Sequence, residues 1–556
     1  MIAHIQIHEK SFANLKLYNG LDFRINAGEK IGLLGRNGTG KTTLFNMISG
    51  EDLDYDGDID MRKGLVVIST RQEHQDKENE DVLEYILGDL PEFAKLKHAI
   101  DTLPEQMDNK KHLMQQYSDA LERFGVLGYY EVESEVIQAL EKYQLPEEKA
   151  TNKLSHLSGG QKRLVELVKV QRARADLALI DEPTNHMDYV MKDSFLDWMK
   201  RTKEAVVVIS HDRDVLKAVD KIIEIRDGKA DICKGNYDDY LRINTTRMTS
   251  EVNEFEITQS RITNLQSDVV RFQRLKEKAR SPGTISRFKS QEQKARTELA
   301  KLQSKEKPSF WIDQDSAKGL KTKLAEAYDE HKTRNIKIRT TSKPSSSNTL
   351  LVELDKLSLG YDKPLFDDIS VQLREGDRLR VHGRNGVGKS TLVQAIIDSN
   401  AGKNLKSEVY AGTIYNDQTT FIGVYEQELD PSYLKLTLSE AIEQAYDAKG
   451  LSCTNQLVKS LLNDYLFNPS VDGDKPIEIL SGGQKARFQL INMLAGNPNV
   501  LILDEPTNHL DLPSIEELEQ ALAQYHGAII YISHDSYFTN KMLGKEIHIK
   551  ESENIS

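Results

Sequence analysis

The chain has 556 residues, a formal net charge of −13 and two cysteines. This length is too great for one hydrophobic core and indicates two to four domains, and 38% hydrophobic with 29% charged residues is typical of a soluble globular protein. The acidic balance argues against a uniformly basic nucleic-acid binder, and two cysteines are too few for a disulfide framework or a zinc cluster.

The N-terminal segment MIAHIQIHEK alternates apolar and polar residues, as a strand does. It lacks the basic start and apolar core of a signal peptide, and no apolar run in the chain approaches the ~18 residues of a membrane span. We therefore predict a cytoplasmic protein with no membrane partner.

The first phosphate-binding motif is GRNGTGKTT at residues 35–43, which fits G-x-x-x-x-G-K-[ST]. In such a loop, backbone N–H groups surround the nucleotide phosphates, the lysine neutralises their oxygens and the hydroxyl binds Mg²⁺. The candidate phosphate-binding residues are Gly35, Asn37, Gly38, Gly40, Lys41, Thr42 and Thr43. Thr42 is also a candidate magnesium ligand, together with Gln72 after the strand-like segment LVVIST.

Three further motifs follow in order: LSGGQKR, LALIDEPTNHMD and VVVISHDRD. Asp181 ends an apolar strand and is a candidate magnesium ligand, and Glu182 is the candidate base for an attacking water. His211 is a candidate partner of the γ-phosphate. The serine and glycines of LSGGQ open a helix, whose N–H groups offer a second anion site. Its candidate ATP contacts are Ser158, Gly159, Gly160 and Gln161.

The residue pattern changes over residues 242–349, where heptad spacing takes the place of the preceding motifs. Phe255, Ile262 and Val269 are seven residues apart, and after the turn signal SPGT the same spacing continues on a second helix. We expect an antiparallel helical hairpin with its tip at about 279–288 and a first helix of roughly 30 residues, about 45 Å long.

The hairpin is basic around its tip. Residues 271–305 hold eleven Lys and Arg against three Asp and Glu. Clustered like charge is best explained by a polyanion that offsets it, and RNA phosphates are the expected partner. The candidate RNA contacts are Arg271, Arg274, Lys276, Lys278, Arg280, Arg287 and Lys289.

The second half repeats every motif of the first, with GRNGVGKST, LSGGQKA, VLILDEPTNHLD and IIYISHDSY. The candidate phosphate-binding residues are Gly383, Asn385, Gly386, Gly388, Lys389, Ser390 and Thr391. The second LSGGQ segment supplies Ser481, Gly482, Gly483 and Gln484, the candidate magnesium ligands are Ser390, Gln427 and Asp504, and the candidate catalytic residues are Glu505 and His534.

An aromatic residue ahead of each phosphate loop is the candidate stacking partner of adenine. Tyr361 lies 28 residues before Lys389 and fits this role in the second half. The matching position in the first half is Ala13, so Phe12 is a substitute candidate. Packing in the core is the alternative for both aromatic residues.

The offsets between the repeats locate an insertion. Gln72 and Gln427 are 355 residues apart, whereas the LSGGQ segments are 323 apart, so the first half has 355 − 323 = 32 additional residues. They lie within about 85–150, where the pattern predicts amphipathic helices. The predicted domains are 1–241, 242–349 and 350–556.

Two phosphate loops and two LSGGQ segments predict two composite pockets. Each pocket holds ATP between the phosphate loop of one half and the LSGGQ segment of the other, so that ATP binding closes the halves and hydrolysis releases them. We therefore expect a monomer in which the two halves form an intramolecular dimer.

These motifs resemble those of ATP-binding cassette proteins over nearly the whole chain, and the closer resemblance is to the ABC-F family of translation factors. The features that carry it are DEPTNHMD and DEPTNHLD, the absence of membrane spans, the insertion and the charged hairpin. The resemblance implies an α/β fold with two ABC-type P-loop nucleotide-binding domains joined by a long antiparallel α-helical hairpin. It also implies an ATP hydrolase that uses ATP and Mg²⁺.

The resemblance further implies a ribosomal partner. Family members bind the ribosomal tRNA exit site, the hairpin touches P-site tRNA and ribosomal RNA near the peptidyl-transferase region, and the insertion acts as an arm near the L1 stalk. Some members displace antibiotics from ribosomes, and SFWIDQDSAKGL (309–320) is similar to those members.

Two other classes of protein remain open. One is the cytoplasmic tandem-cassette ATPase of a membrane importer, and the other is a DNA-repair or chromosome ATPase. Co-purification with membrane proteins would favour the first, whereas the low cysteine count argues against the zinc modules of the second. For the hairpin alone, the alternative is a solvated charged spacer.

Overall fold

A computed structural model of the chain describes residues 1–12, 15–71, 77–106, 111–185, 187–303, 336–337, 349–426, 429–508 and 510–550, and the side chains of all of these but 12, 15 and 106. Two compact units are present. One contains residues 1–237 and 336–556, and the other contains residues 238–335.

The first cassette is built on two sheets. Its strands are β1 (Ala3–Phe12), β2 (Leu15–Ile25), β3 (Lys30–Gly35), β4 (Asp56–Met61), β5 (Val67–Ser69), β6 (Leu177–Asp181), β7 (Ala205–Ile209), β8 (Lys221–Arg226) and β9 (Lys229–Lys234). The larger sheet has the order β5-β6-β7-β3-β8-β9, and all its neighbouring strands are parallel except β9, which is antiparallel to β8. An antiparallel sheet has the order β2-β1-β4. Because β6 and β7 are buried along their whole length, their apolar runs lack the polar alternation of an exposed sheet.

The helices of the first cassette lie between these strands. They are α1 (Lys41–Ser49), α2 (Val82–Gly88), α3 (Phe93–Gln106), α4 (Lys111–Val126), α5 (Val132–Lys142), α6 (Glu147–Ala150), α7 (Gly159–Arg172), α8 (Tyr189–Arg201) and α9 (Arg213–Lys217). Parallel strands need such crossover connections, and the phosphate loop, the aspartate and the histidine segment all follow the carboxyl ends of strands.

The second cassette repeats this plan. Its strands are β10 (Leu350–Gly360), β11 (Pro364–Arg374), β12 (Arg378–His382), β13 (Glu408–Asn416), β14 (Ile422–Tyr425), β15 (Val500–Asp504), β16 (Ala528–Ile532) and β17 (Lys545–His548). Its helices are α12 (Lys389–Asn400), α13 (Leu438–Asp447), α14 (Asn455–Asp464), α15 (Gly482–Leu494), α16 (Leu512–Ala523) and α17 (Ser536–Lys541). The parallel sheet has the order β14-β15-β16-β12-β17, and the antiparallel sheet has the order β11-β10-β13. The predicted pair of α/β cassettes is confirmed.

The insertion is narrower than the range of 85–150 that contains it. Helix α5 begins at Val132 and α14 begins at Asn455, which is the 323-residue offset of the LSGGQ segments. Helices α3 and α4, which we call the arm, lie between α2 and α5, and a short connection replaces them in the second cassette. Amphipathicity alone does not separate the arm from α5, because α5 also buries one face.

The unit of residues 238–335 contains most of a helical hairpin. Its first helix, α10 (Tyr237–Lys278), has 42 residues and is about 63 Å long at ~1.5 Å per residue. It begins five residues before the predicted boundary of 242, because Asp238 and Asp239 stabilise the first turn of a helix that extends through the boundary. The second helix, α11 (Pro282–Gln303), begins within the predicted tip.

The hairpin has a small core of its own. Leu265 and Val269 of α10 pack with Ala295 of α11, and Val269 belongs to the predicted heptad stripe. Arg261 donates two hydrogen bonds to Glu298 across the helices, at 2.9 and 3.1 Å. Within the described part of the chain, no helix is both long enough and apolar enough to cross a membrane.

Candidate functional site

The two glycine-rich loops have the same backbone where each enters a helix. Gly40 and Gly388 are the N-caps of α1 and α12, with φ of 91° and 102°, a left-handed conformation that favours glycine. A Cβ at Gly40 would lie 2.6 Å from the Tyr18 hydroxyl, and one at Gly388 would lie 2.9 Å from the Phe366 ring. Both positions therefore require glycine for conformation and for space.

A lysine closes each loop. Lys41 Nζ donates to the carbonyl oxygen of Gly35 at 2.7 Å. Lys389 Nζ donates to the carbonyl oxygens of Gly383 and Arg384, at 3.0 and 2.8 Å. Burial lowers the pKa of both ammonium groups, an effect that nearby carboxylates oppose. A buried ammonium beside a row of backbone N–H groups suits a polyphosphate.

A hydroxyl and a carboxylate meet beside each lysine. Thr42 Oγ1 donates to Asp181 Oδ2 at 2.9 Å, and Ser390 Oγ donates to Asp504 Oδ2 at 3.0 Å. The aspartates are the last residues of β6 and β15. Both pairs offer the oxygen ligands that Mg²⁺ prefers, so the residues present fit that ion in both cassettes.

The two candidate catalytic glutamates have strained backbones. Glu182 and Glu505 have φ of 46° and 49°, which is a rare conformation for a residue with a side chain. Their N–H groups donate to the carbonyl oxygens of Ile209 and Ile532 at 2.8 and 2.9 Å. The neighbouring strands thus hold each glutamate in place, as the surrounding structure does at many functional sites.

Each glutamate faces a histidine from the next strand. His211 Nε2 is 3.7 Å from Glu182 Oε1, and His534 Nε2 is 3.6 Å from Glu505 Oε1. Burial raises the pKa of both glutamates to about 8, and the charge of the preceding aspartate adds to the effect. Burial lowers the pKa of both histidines to about 3. Neutral imidazoles and carboxyls with a pKa near neutrality are suited to proton exchange with water.

Among the described residues, the cassettes enclose two large composite cavities. The first has a volume of about 760 Å³. The first cassette lines it with Asn37, Gly38, Gly40, Lys41, Thr42, Thr43, Asp181, Glu182 and His211, and the second cassette lines it with Ser481, Gly482 and Gly483. The structure therefore places the second LSGGQ segment opposite the first phosphate loop.

The second cavity mirrors the first and has a volume of about 670 Å³. The second cassette lines it with Asn385, Gly386, Gly388, Lys389, Ser390, Thr391, Asp504, Glu505 and His534, and the first cassette lines it with Ser158, Gly159, Gly160 and Gln161. Gly35, Gly383 and Gln484 are not among the lining residues of either cavity.

The serine and glutamine of each LSGGQ segment form a capping box. Ser158 Oγ accepts the N–H of Gln161 at 3.3 Å, and the glutamine side chain accepts the N–H of the serine at 3.2 Å. Ser481 and Gln484 do the same at 3.3 and 3.0 Å. Each box satisfies N–H groups at the start of a helix, and the two glycines between the serine and the glutamine line a cavity.

Two aspartates that sequence reasoning missed cross between the cassettes. Asp188 Oδ2 accepts the N–H of Asn385 at 3.1 Å, and Asp511 Oδ2 accepts the N–H of Asn37 at 3.4 Å. Each aspartate caps the helix that follows it with its other oxygen. They are the final residues of DEPTNHMD and DEPTNHLD, so the repeated motif marked the position without revealing a contact to the other cassette.

A buried ion pair also joins the cassettes. Arg213 Nη1 donates to Glu519 Oε1 at 2.9 Å, and the two side chains are 5% and 1% exposed. The Arg213 guanidinium also lies 5.0 Å from the centre of the Tyr537 ring. The position equivalent to Arg213 in the second cassette is Ser536, which donates to Asp214 at 2.8 Å.

Tyr361 is the candidate adenine contact that the structure describes in full. Its side chain is 52% exposed and lines the second cavity beside Leu365. Tyr410 Oη donates to the Tyr361 carbonyl oxygen at 2.5 Å and so supports this turn. The Phe12 side chain, Gln72 and Gln427 lie outside the described residues.

The basic residues of the hairpin differ in their availability. Arg274, Lys278, Arg280, Arg287 and Lys289 are exposed. Two others already have acidic neighbours within the hairpin. Lys276 Nζ pairs with Glu292 at 2.7 Å, and Arg271 pairs with Asp268 at 3.0 Å. The exposed five are therefore the better candidates for contact with an external anion.

Comparison with known proteins finds relatives over the whole chain. The model of the family described as ABC transporter matches residues 18–185 and 366–508. Probable ATP-binding protein YbiT of Escherichia coli O157:H7 is 28% identical over 97% of this chain and 94% of its own. ABC transporter F family member 5 of Arabidopsis thaliana is 27% identical over 98% of this chain and 74% of its own.

A solved structure shares the fold. The archaeal ribosome recycling factor aABCE1, in a complex with the ribosomal stalk protein aP1, superposes with a TM-score of 0.55 at 17% identity and covers 98% of this chain and 87% of its own. Duplicated motifs, duplicated geometry and these matches agree: the chain belongs to the ATP-binding cassette family and is an ABC-F tandem ATPase that hydrolyses ATP.

Proposed function

We propose that this protein binds ribosomes at the tRNA exit site when ATP closes its cassettes, and that ATP hydrolysis releases it. The observation that carries the proposal is the exposed basic cluster around the break between the two long helices α10 and α11, in a chain that has two ATPase cassettes and a net charge of −13. A charge contrast of this kind suits a polyanionic partner.

In the proposed cycle, each cassette binds one ATP with Mg²⁺. Lys41 and Lys389 would neutralise the terminal phosphates, and Mg²⁺ would supply a positive charge that stabilises the phosphoryl group during transfer. Glu182 and Glu505 would accept the proton of an attacking water. The strained backbone holds both carboxyls in place before ATP arrives, which lowers the cost of orienting them.

The cassette contacts couple nucleotide to closure. The LSGGQ glycines line the cavity of the opposite cassette, so a bound γ-phosphate would contact both cassettes at once. Loss of that phosphate removes the shared ligand and favours opening. ATP binding would thus stabilise the closed cassettes, and hydrolysis would open them and end the interaction with the ribosome.

The hairpin is the proposed contact with P-site tRNA and ribosomal RNA. Arg274, Lys278, Arg280, Arg287 and Lys289 are exposed around the break between α10 and α11. Arg and Lys bind phosphates without reading a base sequence, so this surface suits RNA whose position is set by the ribosome. The arm, α3 and α4, is the proposed contact near the L1 stalk.

Displacement of antibiotics is not needed for this function. Its sequence signal, residues 309–320, lies outside the described residues. Two similar proteins support a function on the ribosome over membrane import or DNA repair. One is a relative named for the ABC-F family, and the other is a structural neighbour named as a ribosome recycling factor.

Sucrose-gradient sedimentation tests the proposal. The Glu182→Gln/Glu505→Gln variant should bind ATP, stay closed and co-sediment with purified ribosomes, whereas without ATP it should remain at the top of the gradient. Reversing Arg280, Arg287 and Lys289 to Glu in this background should abolish co-sedimentation at physiological salt, because each lost phosphate contact removes a released counterion.

The matched control reverses three exposed lysines of the first cassette, Lys63, Lys200 and Lys203, to Glu. It changes the net charge by the same amount and should leave co-sedimentation intact. Equal binding by the hairpin variant and the parent would make the hairpin a spacer. Absence of ATP-dependent co-sedimentation in the parent variant would contradict the proposed function itself.

A further inference from the structure

A buried network of charged side chains lies inside the first cassette, between helix α7 and the base of the arm. Lys169 of α7 is 1% exposed, and its Nζ lies 2.8 Å from Glu166 Oε2 and 3.3 Å from Asp89 Oδ2. Tyr85 of α2, which is also buried, receives a hydrogen bond from Lys169 at 3.2 Å and donates one to Glu166. Buried ionic groups cost desolvation energy, so such a network needs a reason beyond stability.

One end of the network reaches the first ATP cavity. Arg71 lines that cavity together with Lys41 and Thr42. Its Nη1 pairs with Asp89 Oδ2 at 3.1 Å, and its backbone N–H donates to Glu166 Oε2 at 2.7 Å. Both the guanidinium and the backbone of Arg71 are therefore positioned by members of the network.

The other end reaches the arm. Asp89 is the C-cap of α2, and only three residues follow before α3 begins at Phe93. Within that turn, Glu92 accepts two hydrogen bonds from Arg123 of α4, at 3.2 and 2.7 Å. Tyr129 Oη donates to the Pro91 carbonyl oxygen at 2.6 Å. The turn that carries Asp89 thus also holds both helices of the arm.

The second cassette, which has no arm, cannot form this network. The offset of 355 places Glu426 at the position of Arg71, and the offset of 323 places Gln489 and Asn492 at those of Glu166 and Lys169. Helices α2 and α13 begin at Val82 and Leu438, and this offset of 438 − 82 = 356 places Ala441 and Ala445 at the positions of Tyr85 and Asp89. Ala441 is part of a hydrophobic core there, and Ala445 is buried. The network therefore accompanies the arm and is not a general requirement of the cassette fold.

We propose that Asp89 and Lys169 are positioning residues that orient Arg71 at the first ATP site and couple that site to the arm, so that hydrolysis in the first cassette responds to what the arm contacts. The inference rests on the proposed function only for the identity of the arm's partner, the ribosome. Contiguous, packed polar groups of this kind carry coupling between sites.

Hydrogen exchange in the free protein tests the coupling without a ribosome. In a Lys389→Ala background, a non-hydrolysable ATP analogue with Mg²⁺ should bind the first site and slow exchange in α3 and α4 by about threefold or more. In the charge-balanced variant Asp89→Asn/Lys169→Gln, the effect on the arm should fall below about 1.5-fold, while the phosphate loop at 35–43 remains protected by the analogue.

The matched control is Lys97→Gln/Asp101→Asn, an exposed pair on α3 outside the network, which should retain the effect. If the buried variant does not fold, Glu92→Gln/Arg123→Gln carries the test, because both of its side chains are almost half exposed. Equal nucleotide-dependent protection of the arm in these variants and the parent would overturn the coupling, as would its absence in the parent.

Purified ribosomes supply the second readout. In a Glu505→Gln background, where the first site turns over, ribosomes should stimulate ATP hydrolysis, and Asp89→Asn/Lys169→Gln should reduce that stimulation by about threefold or more. Stimulation unchanged in the variant would overturn the coupling. If ribosomes bind neither protein, the proposed function fails while the exchange result still decides the coupling.

Discussion

Glu182 and Glu505 show how single residues are prepared for chemistry at the strand ends. Both have a left-handed backbone, both have a carboxyl whose pKa burial raises to about 8, and both face a histidine whose side chain is 10% or 11% exposed. Each of these features costs folding energy, and the same set recurs in both cassettes. Recurrence of a costly arrangement argues for function, because drift would remove it from at least one copy.

Removing either carboxyl should stop one site. We expect Glu182→Gln or Glu505→Gln to lower ATP turnover in part and the double variant to lower it by about 10² or more, because the amide keeps the shape but accepts no proton. A phosphate-release assay measures this. Glu51→Gln, an exposed change in the first cassette, is the control, and near-parental turnover in the double variant would refute the assignment.

The buried side chain of Glu204 should make the stability of the protein depend on pH. Burial raises its pKa to about 7, and its Oε2 has no hydrogen-bond partner among the described residues. The Glu204 carboxyl therefore holds its proton more tightly in the folded state than in the unfolded chain. The free energy of unfolding falls as the pH rises from about 4.5 to about 7, and above pH 7 this group causes no further change.

Glu204→Gln should remove this loss. In a denaturation experiment at pH 8, the free energy of unfolding of the variant should exceed that of the parent by a value on the order of 1 kcal/mol, and at pH 5 the difference should be smaller. Glu51→Gln should show no such pH-dependent difference. A gain that is the same at both pH values would mean that titration of Glu204 is not its source.

At the scale of elements, the starts of α7 and α15 each serve two purposes. The capping boxes of Ser158 and Ser481 stabilise the helices, while the following glycines face the ATP cavity of the other cassette. The same five-residue segment therefore stabilises a helix and lines the ATP cavity of the other cassette. A substitution that tests one of these roles needs a control for the other.

Ser158→Arg should block the second site, because its side chain enters the cavity beside Lys389. In a Glu182→Gln background, turnover should fall about tenfold or more while nucleotide affinity, measured with a fluorescent ATP analogue, changes little. Ser158→Ala is the matched control, since it loses only the cap, about 1 kcal/mol of stability. If the alanine variant loses as much turnover as the arginine variant, the cap and not the cavity is responsible.

The whole molecule depends on how the two cassettes meet. Their contacts are nearly symmetric at the phosphate loops, where Asp188 and Asp511 accept equivalent N–H groups. They differ at the histidine segments, where one side has the buried Arg213–Glu519 pair and the other a hydrogen bond from Ser536. The two contacts are adjacent, because Arg213 and Asp214 are neighbours in the chain and Arg213 also lies against Tyr537, the residue after Ser536.

Breaking this pair should weaken closure. Arg213→Met leaves the Glu519 carboxylate largely buried, so we expect the KM for ATP to rise about tenfold, about 1.4 kcal/mol. The double variant Arg213→Met/Glu519→Leu removes both charges and should return the KM to within about threefold of the parent. Steady-state kinetics complete the double-mutant cycle, and additive effects of the two changes would contradict a direct interaction.

The sequence by itself determined the two cassettes, their α/β class, the hairpin and the pairing of motifs, because phosphate loops, buried parallel strands and heptads are local patterns whose physics acts over a few residues. Only the tertiary structure decided which residues meet across the cassettes. Asp188 belongs to a repeated motif that does not reveal its partner in the other cassette, and Arg213 and, within the first cassette, Arg71 have no local pattern of their own. The roles of these residues depend on partners between 18 and 306 positions away. Such contacts depend on how sheets and helices pack, because contacts between residues far apart in the sequence produce no repeating pattern in that sequence.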